Sequence, residues 1–170
     1  MSFAINSIHS LATAQTTIAT PIGRLLLART AKGLAGAWFE GQKDHPGVLG
    51  APECAIDPVL QDAAQQLAGY FSGTRQHFDL PLDLHGTAFQ RSVWQALLRI
   101  ATGKTQSYAD IARAVGSHKA VRAVGSAVGK NPLSVIVPCH RVMGSDGSLT
   151  GYAGGLDRKR ALLSLEGVVV

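Results

Sequence analysis

Cysteine is scarce in this chain, and long apolar runs are missing. The 170 residues include two cysteines, Cys54 and Cys139, too few for a disulfide framework or a cysteine-rich zinc site. No run of about eighteen or more apolar residues occurs, and no basic segment followed by an apolar core stands at the N-terminus, so a membrane span and a secretory signal both lack support. We therefore expect a cytoplasmic protein with reduced thiols and no membrane partner.

Metal and cofactor patterns are missing as well. The histidines of the first half have no metal-ligand spacing: His9, His45, His77 and His85. The glycine-rich segment 151–155 lacks the strand, loop and helix order of a phosphate-binding loop. We expect neither a metal nor a cofactor, and we interpret these histidines as structural or solvated.

Positive charge is concentrated in the second half of the chain. Residues 1–85 carry 5 Lys and Arg against 7 Asp and Glu, a net charge of −2, whereas residues 86–170 carry 11 against 4, a net charge of +7. Because basic surfaces attract phosphates, the second half is the half expected to face a nucleic acid. A generically basic surface would give the same count.

The first half, residues 1–84, is expected to form one domain with a small antiparallel sheet and a helix. Short apolar-rich runs separated by turns with Pro and Gly indicate the strands, over residues 16–20, 24–29 and 34–40. Residues 1–14 have no hydrophobic period and are expected to be irregular, and 77–82 is a candidate further strand.

A helix is expected after the loop at residues 41–53. Asp57 can cap this helix, and Pro58 suits its first turn because proline has no N–H to leave unpaired there. The apolar residues at helical spacing predict its buried face: Leu60, Ala63, Ala64, Leu67 and Phe71.

The second half, residues 85–170, is expected to be mainly helical. Thr87 can cap a helix whose apolar face is Phe89, Val93, Leu97 and Ile100. The segment 107–110 resembles a capping box, and another helix is expected over about 119–128. Two short helices joined by a tight turn in a basic region are typical of a helix-turn-helix, although plain packing gives the same pattern.

Residues 135–142, Val-Ile-Val-Pro-Cys-His-Arg-Val, place a lone thiol beside an imidazole. A cysteine reacts as a nucleophile only as the thiolate, and an unperturbed pKa near ~8.5 makes a base or a cation necessary at neutral pH. His140 and Arg141 are both adjacent. Pro138 favours extended geometry before it, so a buried strand is expected to run into Cys139 and then turn. A buried apolar cysteine beside a surface histidine would fit the same dipeptide.

A series of motifs in the second half carries a resemblance to a known family. The motifs follow one another over residues 87–167: Phe89-Gln90-Arg91-Ser92-Val93-Trp94, Ser107-Tyr108, Arg122-Ala123-Val124-Gly125, Asn131-Pro132, Pro138-Cys139-His140-Arg141-Val142, Gly151-Tyr152-Ala153-Gly154-Gly155 and Leu165-Glu166-Gly167. In order and spacing they resemble the O6-alkylguanine-DNA alkyltransferases, also called methylated-DNA-protein-cysteine methyltransferases, in their stand-alone bacterial form. The resemblance implies an α+β protein with a ribonuclease H-like first domain and a helical, winged-helix-like second domain that contains the helix-turn-helix.

The resemblance also implies a reaction, the direct repair of alkylated guanine in double-stranded DNA. Cys139 would take the alkyl group from guanine O6 in a single turnover, with O4-alkylthymine as a second candidate substrate. His140 would accept the thiol proton through a water, Glu166 would orient the imidazole, Tyr108 would donate to guanine N3, and Asn131 would brace the turn before the active site.

Glu166 has independent support from the helix pattern. Asp157 is expected to cap a final helix whose inward residues are Ala161, Leu162 and Leu165. Glu166 would then lie at the C-terminus of that helix, where the dipole disfavours a carboxylate. We therefore expect a cationic or hydrogen-bonding partner for Glu166, although a solvated glutamate is the alternative.

Further positions are assigned by the resemblance to DNA and to the flipped base. The second helix of the pair would enter the minor groove with Arg122 filling the stack, and the DNA-binding set is Arg122, Ala120, Ala123, Gly125 and Ser107. The pocket for the base would be lined by Val142, Ser134, Tyr152, Ala153 and Gly154. Ser134 stands where some members have proline, which predicts a more open pocket rim and bulkier alkyl groups.

Two other functions remain as alternatives. A non-catalytic protein that binds alkylated DNA would lack the cysteine, so Cys139 disfavours it. A helix-turn-helix transcription regulator usually reads bases with several long polar side chains, which the second helix does not offer. We expect a monomer in solution, with cooperative assembly on DNA left open.

Overall fold

The structure, a computed structural model, describes residues 3–170, and their side chains from residue 7 onward. It has the predicted α+β class. The chain divides into two compact units, Met1–His85 and Gly86–Val170. Between residues 3 and 170, no helix combines the length and the apolar character needed to cross a membrane.

The first unit is built on a three-stranded sheet in the order β1-β2-β3. Its strands are antiparallel neighbours along the chain: β1 (Ala14–Thr20), β2 (Gly23–Arg29) and β3 (Leu34–Phe39). This confirms the predicted meander. The predicted strand at 77–82 is wrong, because Leu82 makes only an isolated bridge to Leu34, and Pro81 has no N–H with which to continue a ladder.

Helix α2 (Pro58–Phe71) packs on this sheet. The predicted cap is confirmed, since the Asp57 carboxylate accepts from the backbone N–H groups of Val59 and Leu60 at 3.0 and 3.1 Å. The predicted face is only partly right, because the buried residues are Leu60, Ala63, Gln66, Leu67 and Tyr70. Gln66 is buried because its side chain bonds the backbone of Asp79 in both directions.

The chain begins with a helix that the sequence did not predict, α1 (Phe3–Leu11). Ile8 is 1% exposed and packs with Ala28, Ala35, Trp38 and Leu49 on the face of the sheet. The prediction of an irregular segment is therefore wrong for residues 3–11. Residues 1–2 of that predicted segment lie outside the described residues.

The second unit begins with α3 (Ala88–Leu97), α4 (Tyr108–Ala114) and α5 (Val121–Gly129). The cap predicted at Thr87 and the capping box predicted at Ser107 are confirmed, and Thr87 also forms a capping box. Fully buried Trp94 donates through Nε1 to the carbonyl of Ala127 at 2.9 Å, which joins α3 to α5. The predicted helix pair is therefore present, with α4 and α5 in contact.

The remaining elements of this unit lie around the segment that contains Cys139. Short strands β4 (Gln106–Ser107) and β5 (Val142–Met143) pair in parallel, and α6 (Leu156–Leu165) follows. The predicted cap at Asp157 is wrong, because α6 starts one residue after Gly155, whose φ of 92° suits glycine. Its buried residues are Lys159, Leu162 and Leu163, whereas Leu165 is 41% exposed.

Candidate active site

Cys139 lies at the start of a short 3-10 helix, Cys139–Arg141, that leads into β5. The residues before it, 133–137, form a buried turn closed by the Val137 N–H and the Leu133 carbonyl at 2.9 Å. The predicted strand is therefore wrong. Val135 has a φ of 74°, which interrupts the extended geometry that an apolar, β-branched run favours. This turn holds the sulfur in place with only 5% of Cys139 exposed.

Asn131 braces this turn from inside. Its Nδ2 donates to the Val137 carbonyl at 2.8 Å, to the Cys139 sulfur at 3.1 Å and to the Leu133 carbonyl at 3.3 Å. Its Oδ1 accepts from the Leu133 N–H at 2.9 Å. One amide thus connects the turn to the sulfur, in the place where the sequence predicts a bracing residue.

Glu166 lies at the end of α6 and binds two adjacent residues of the 3-10 helix. His140 Nε2 is 2.8 Å from Glu166 Oε1, and both side chains are 1% exposed or less. Arg141 donates to the same carboxylate through Nε at 2.9 Å and through Nη2 at 2.7 Å. The expected cationic partner of Glu166 is therefore present.

Arg141 also connects its ion pair with Glu166 to residues 100–102, which follow α3. It is buried, and its Nη1 donates to the Ile100 carbonyl at 2.6 Å. Its Nη2 donates to Thr102 Oγ1 at 3.1 Å. Sequence reasoning named Arg141 only as a cation beside the thiol, and its role as a partner of Glu166 became visible only in the fold.

The charges of Glu166 and Arg141 determine the tautomer of the His140 imidazole. Burial alone would raise the pKa of Glu166, but hydrogen bonds from His140 and Arg141 outweigh it and bring that pKa to about 2. Burial lowers the pKa of His140 more than Glu166 raises it. A neutral imidazole facing an ionised carboxylate must donate through Nε2, which leaves a lone pair on Nδ1. Nδ1 is buried and meets no hydrogen-bond partner within the described part of the chain.

The thiol is held in its neutral form at rest. Burial raises the pKa of Cys139, although the hydrogen bond from Asn131 and the charge of Lys159 oppose that shift. A buried thiol of this kind needs a base at the moment of reaction. His140, with its basic Nδ1, is the adjacent group that can supply one.

Lys159 is a component of this site that sequence reasoning missed. It is fully buried, and its Nζ donates to the carbonyls of Val142 at 2.6 Å, Thr150 at 2.7 Å and Gly151 at 3.2 Å. Burial lowers its pKa to about 8, against an opposing effect of Cys139. The sequence did contain a signal for its burial: Lys159 lies three residues before Leu162, which places both on the inward face of α6.

Tyr108 lies between α5 and the loop at residues 150–151. Its hydroxyl donates to the Thr150 carbonyl at 3.3 Å. A Cβ added at Gly125 would lie 3.8 Å from its ring, and one added at Gly151 would lie 3.8 Å from its hydroxyl. Burial raises the pKa of Tyr108, and so does the charge on Cys139, so the phenol stays protonated at neutral pH.

The predicted pocket residues differ in exposure. Val142, Ser134 and Gly154 are buried, whereas Tyr152 and Ala153 are half-buried. Ser134 is 1% exposed, and the more open pocket expected at this serine stays a prediction. The carbonyl of Val142, a predicted pocket residue, accepts a hydrogen bond from Lys159.

Most of the predicted DNA-binding residues lie on α5 or just before it, and Ser107 precedes α4. Arg122 and Ala123 are exposed on α5, and Ala120 and Gly125 are half-buried. Ser107 is half-buried and caps α4 by accepting from the Asp110 N–H at 3.1 Å. Its side chain therefore has a structural task in addition to any contact with DNA.

Metal-binding groups of three or more His, Cys, Asp or Glu side chains are not found among the described residues.

Comparison with known proteins identifies the family. Residues 14–84 match the family model described as the ribonuclease-like domain of 6-O-methylguanine DNA methyltransferase, and residues 88–168 match its DNA binding domain. The methylated-DNA-protein-cysteine methyltransferase of Methanosarcina barkeri is 49% identical over 150 residues, which cover 88% of this chain and 94% of that protein. The constitutive enzyme of the same name from Bacillus subtilis is 47% identical over 150 residues, covering 87% and 91%.

Solved structures agree with these matches. The crystal structure of Mycobacterium tuberculosis OGT in complex with DNA is similar with a TM-score of 0.83 and 46% identity, covering 90% of this chain and 92% of that one. Both halves of the chain are thus matched, in sequence and in fold. This chain belongs to the 6-O-methylguanine DNA methyltransferase family.

Proposed function

We propose that this protein is a methylated-DNA-protein-cysteine methyltransferase that repairs O6-alkylguanine in DNA by transferring the alkyl group to Cys139. The observation that carries the proposal is the buried pair of His140 and Glu166, 2.8 Å apart, directly after the buried thiol of Cys139 in the chain. Relatives that share close to half of the sequence bear the name of this activity.

The first step is removal of the thiol proton. His140 Nδ1 has a lone pair and no protein partner among the described residues, and it accepts the proton of Cys139 through a bridging water. The imidazolium that forms is stabilised by the ionised Glu166 carboxylate 2.8 Å away. Asn131 and Lys159 stabilise the thiolate, since both oppose the rise that burial causes in the pKa of Cys139.

The second step is a displacement at the alkyl carbon. The sulfur of Cys139 forms a bond to that carbon while the bond from the carbon to guanine O6 breaks, and the electron pair stays with the guanine. The guanine anion then takes a proton at N3 from Tyr108, whose raised pKa keeps the phenol protonated until then. The imidazolium of His140 then returns its proton through solvent to the phenolate left on Tyr108, so that both side chains end neutral and the charge balances.

The product is a thioether, which side chains of this kind do not cleave. Each molecule therefore reacts once, and the protein is a reactant consumed in the repair. O4-alkylthymine presents the same kind of carbon on a base oxygen and is a second candidate substrate.

DNA binding is assigned to the α4 and α5 pair in the basic second unit. Arg122 is exposed on α5 beside small residues, which lets the helix approach a narrow minor groove and lets the guanidinium replace a flipped nucleotide. OGT of Mycobacterium tuberculosis has been crystallised with DNA, which supports DNA as the partner of this chain. We assign DNA binding and transfer to residues 85–170 and a structural role to residues 1–84.

The test is the intact mass of the protein after mixing with duplex DNA that contains O6-methylguanine. The protein should gain one methyl group, on the peptide that contains Cys139. Cys139→Ser should gain none and still bind the duplex, while Cys54→Ser, the matched control, should react fully. Methylation on Cys54 or turnover beyond one equivalent would contradict the mechanism, and binding without any methyl gain would favour a non-catalytic DNA-binding protein.

A further inference from the structure

The buried ammonium of Lys159 joins two segments that flank the reactive sulfur. Val142 lies three residues after Cys139, and Thr150 and Gly151 belong to the loop before α6. All three offer carbonyl oxygens to Nζ, at 2.6 to 3.2 Å. Three carbonyl partners satisfy the three N–H donors of an ammonium, so this site fits the protonated form of lysine.

The same loop carbonyl also orients the phenol. The Thr150 oxygen accepts from Lys159 Nζ at 2.7 Å and from Tyr108 Oη at 3.3 Å. Displacement of this carbonyl would therefore move the hydroxyl of Tyr108 as well. Lys159 thus connects the thiol segment, the loop and the phenol in one hydrogen-bonded unit.

The charge of Lys159 is not neutralised by a carboxylate. Among the described residues, the ion pairs include none with Lys159. Glu166, the carboxylate of this site, is already paired with Arg141 at 2.7 Å. His140 is neutral, because burial lowers its pKa. At rest, before His140 accepts the proton of Cys139, the charge of Lys159 is therefore the positive charge beside the sulfur that no carboxylate balances. Tyr108 contributes no charge while it is protonated.

We propose that Lys159 is a positioning residue for alkyl transfer: its buried ammonium fixes the two segments beside Cys139 and supplies the positive charge that stabilises the thiolate. The inference rests on the proposed function for its role in repair. The charge effect itself does not depend on DNA. It can therefore be measured with a small electrophile as well as with the substrate.

The experiment compares the unmodified chain with Lys159→Met and with Arg160→Met. Methionine keeps the length of the side chain but removes its charge, and Arg160, exposed on the same helix, is the matched control. The rate of iodoacetamide labelling of the Cys139 peptide is followed by mass spectrometry from about pH 6 to about pH 10. Loss of a neighbouring opposite charge should move the profile of Lys159→Met to higher pH by about one unit or more.

A displacement of one pH unit corresponds to labelling of Cys139 that is about tenfold slower near neutral pH. The labelling profile of Arg160→Met should coincide with that of the unmodified chain. A lower rate with an unmoved midpoint would overturn the proposal, because it would leave Lys159 a structural role only. Methyl transfer from O6-methylguanine DNA is measured in parallel and should slow by a similar factor in Lys159→Met. If the unmodified chain transfers no methyl group, the proposed function fails, while the labelling profile still decides the charge effect.

A second measurement does not require Lys159→Met to fold. The titration of the Lys159 side chain is followed by NMR in the unmodified chain and in Cys139→Ser. Because a thiolate favours the charged lysine, the midpoint of Lys159 should fall when the sulfur is replaced by a hydroxyl. An equal midpoint in both proteins would show that the two groups do not interact, and would overturn the proposal.

Discussion

Asn131 donates a hydrogen bond from its side-chain amide to the sulfur of Cys139 at 3.1 Å. The same nitrogen also reaches the Val137 carbonyl at 2.8 Å. A donor directed at sulfur stabilises the thiolate more than the thiol, because hydrogen bonds to charged acceptors are stronger. Asn131 therefore couples the shape of the turn to the acidity of the nucleophile.

We predict that Asn131→Ala raises the pKa of the Cys139 thiol and destabilises the protein. The substitution leaves the buried carbonyl of Val137 and the N–H of Leu133 without their side-chain partner, at a cost of about 1–3 kcal/mol for each unsatisfied group. Iodoacetamide labelling against pH measures the first effect, and urea denaturation measures the second. Ser164→Ala, an exposed change on α6, is the control. An unchanged labelling profile would show that the bond to sulfur has no effect on the thiol.

The Glu166→Gln variant should bind DNA normally and transfer methyl groups slowly. The amide cannot stabilise the imidazolium that forms as Cys139 loses its proton. The defect should ease as pH rises, because solution then supplies thiolate directly. Since burial raises the pKa of Cys139, recovery should require a pH above about 8.5, the ordinary range of the thiol.

A single-turnover series over pH tests this on both proteins, with Glu40→Gln, an exposed change, as the control. Rates of Glu166→Gln that match the unmodified chain at every pH would limit Glu166 to a structural role.

Glu166 should also make the fold sensitive to acid. Its pKa is about 2 in the folded chain against an ordinary value of 4.5, so its contribution to stability is complete above pH 4.5 and disappears as pH falls towards 2. The difference corresponds to on the order of 3 kcal/mol. Urea denaturation between these pH values should show a smaller loss of stability for Glu166→Gln than for the unmodified chain. Parallel losses in the two proteins would contradict the assigned ionisation.

Arg122→Ala should weaken DNA binding and slow repair in duplex DNA, with less effect on free alkylguanine base. Only the duplex substrate requires a nucleotide to leave the stack, at a cost of a few kcal/mol that the guanidinium partly offsets. Binding is measured by fluorescence anisotropy and transfer by mass. Arg24→Ala, an exposed change in β2, controls for lost charge. Equal losses on both substrates would assign Arg122 to the fold or the pocket.

The sequence alone determined the features that depend on neighbours along the chain. The caps at Asp57, Thr87 and Ser107 were predictable because each bonds backbone groups within three residues of itself. The meander followed from short apolar runs between turns, and the spaced motifs around Cys139 and Glu166 indicated the family. That Glu166 needs a cationic partner also followed, since a carboxylate at a helix C-terminus is unfavourable by itself.

Tertiary structure alone decided features that depend on distant contacts. Helix α1 packs on the sheet through Ile8, whose partners lie far along the chain. The run at 133–137 has the composition of a strand but forms a turn around Asn131. Lys159 is on an inward face, yet its carbonyl partners lie 8 to 17 residues away in the chain. Local propensity is worth fractions of a kcal/mol for each residue, whereas a buried polar group without its partner costs several times more, so the distant partners decide where such residues lie.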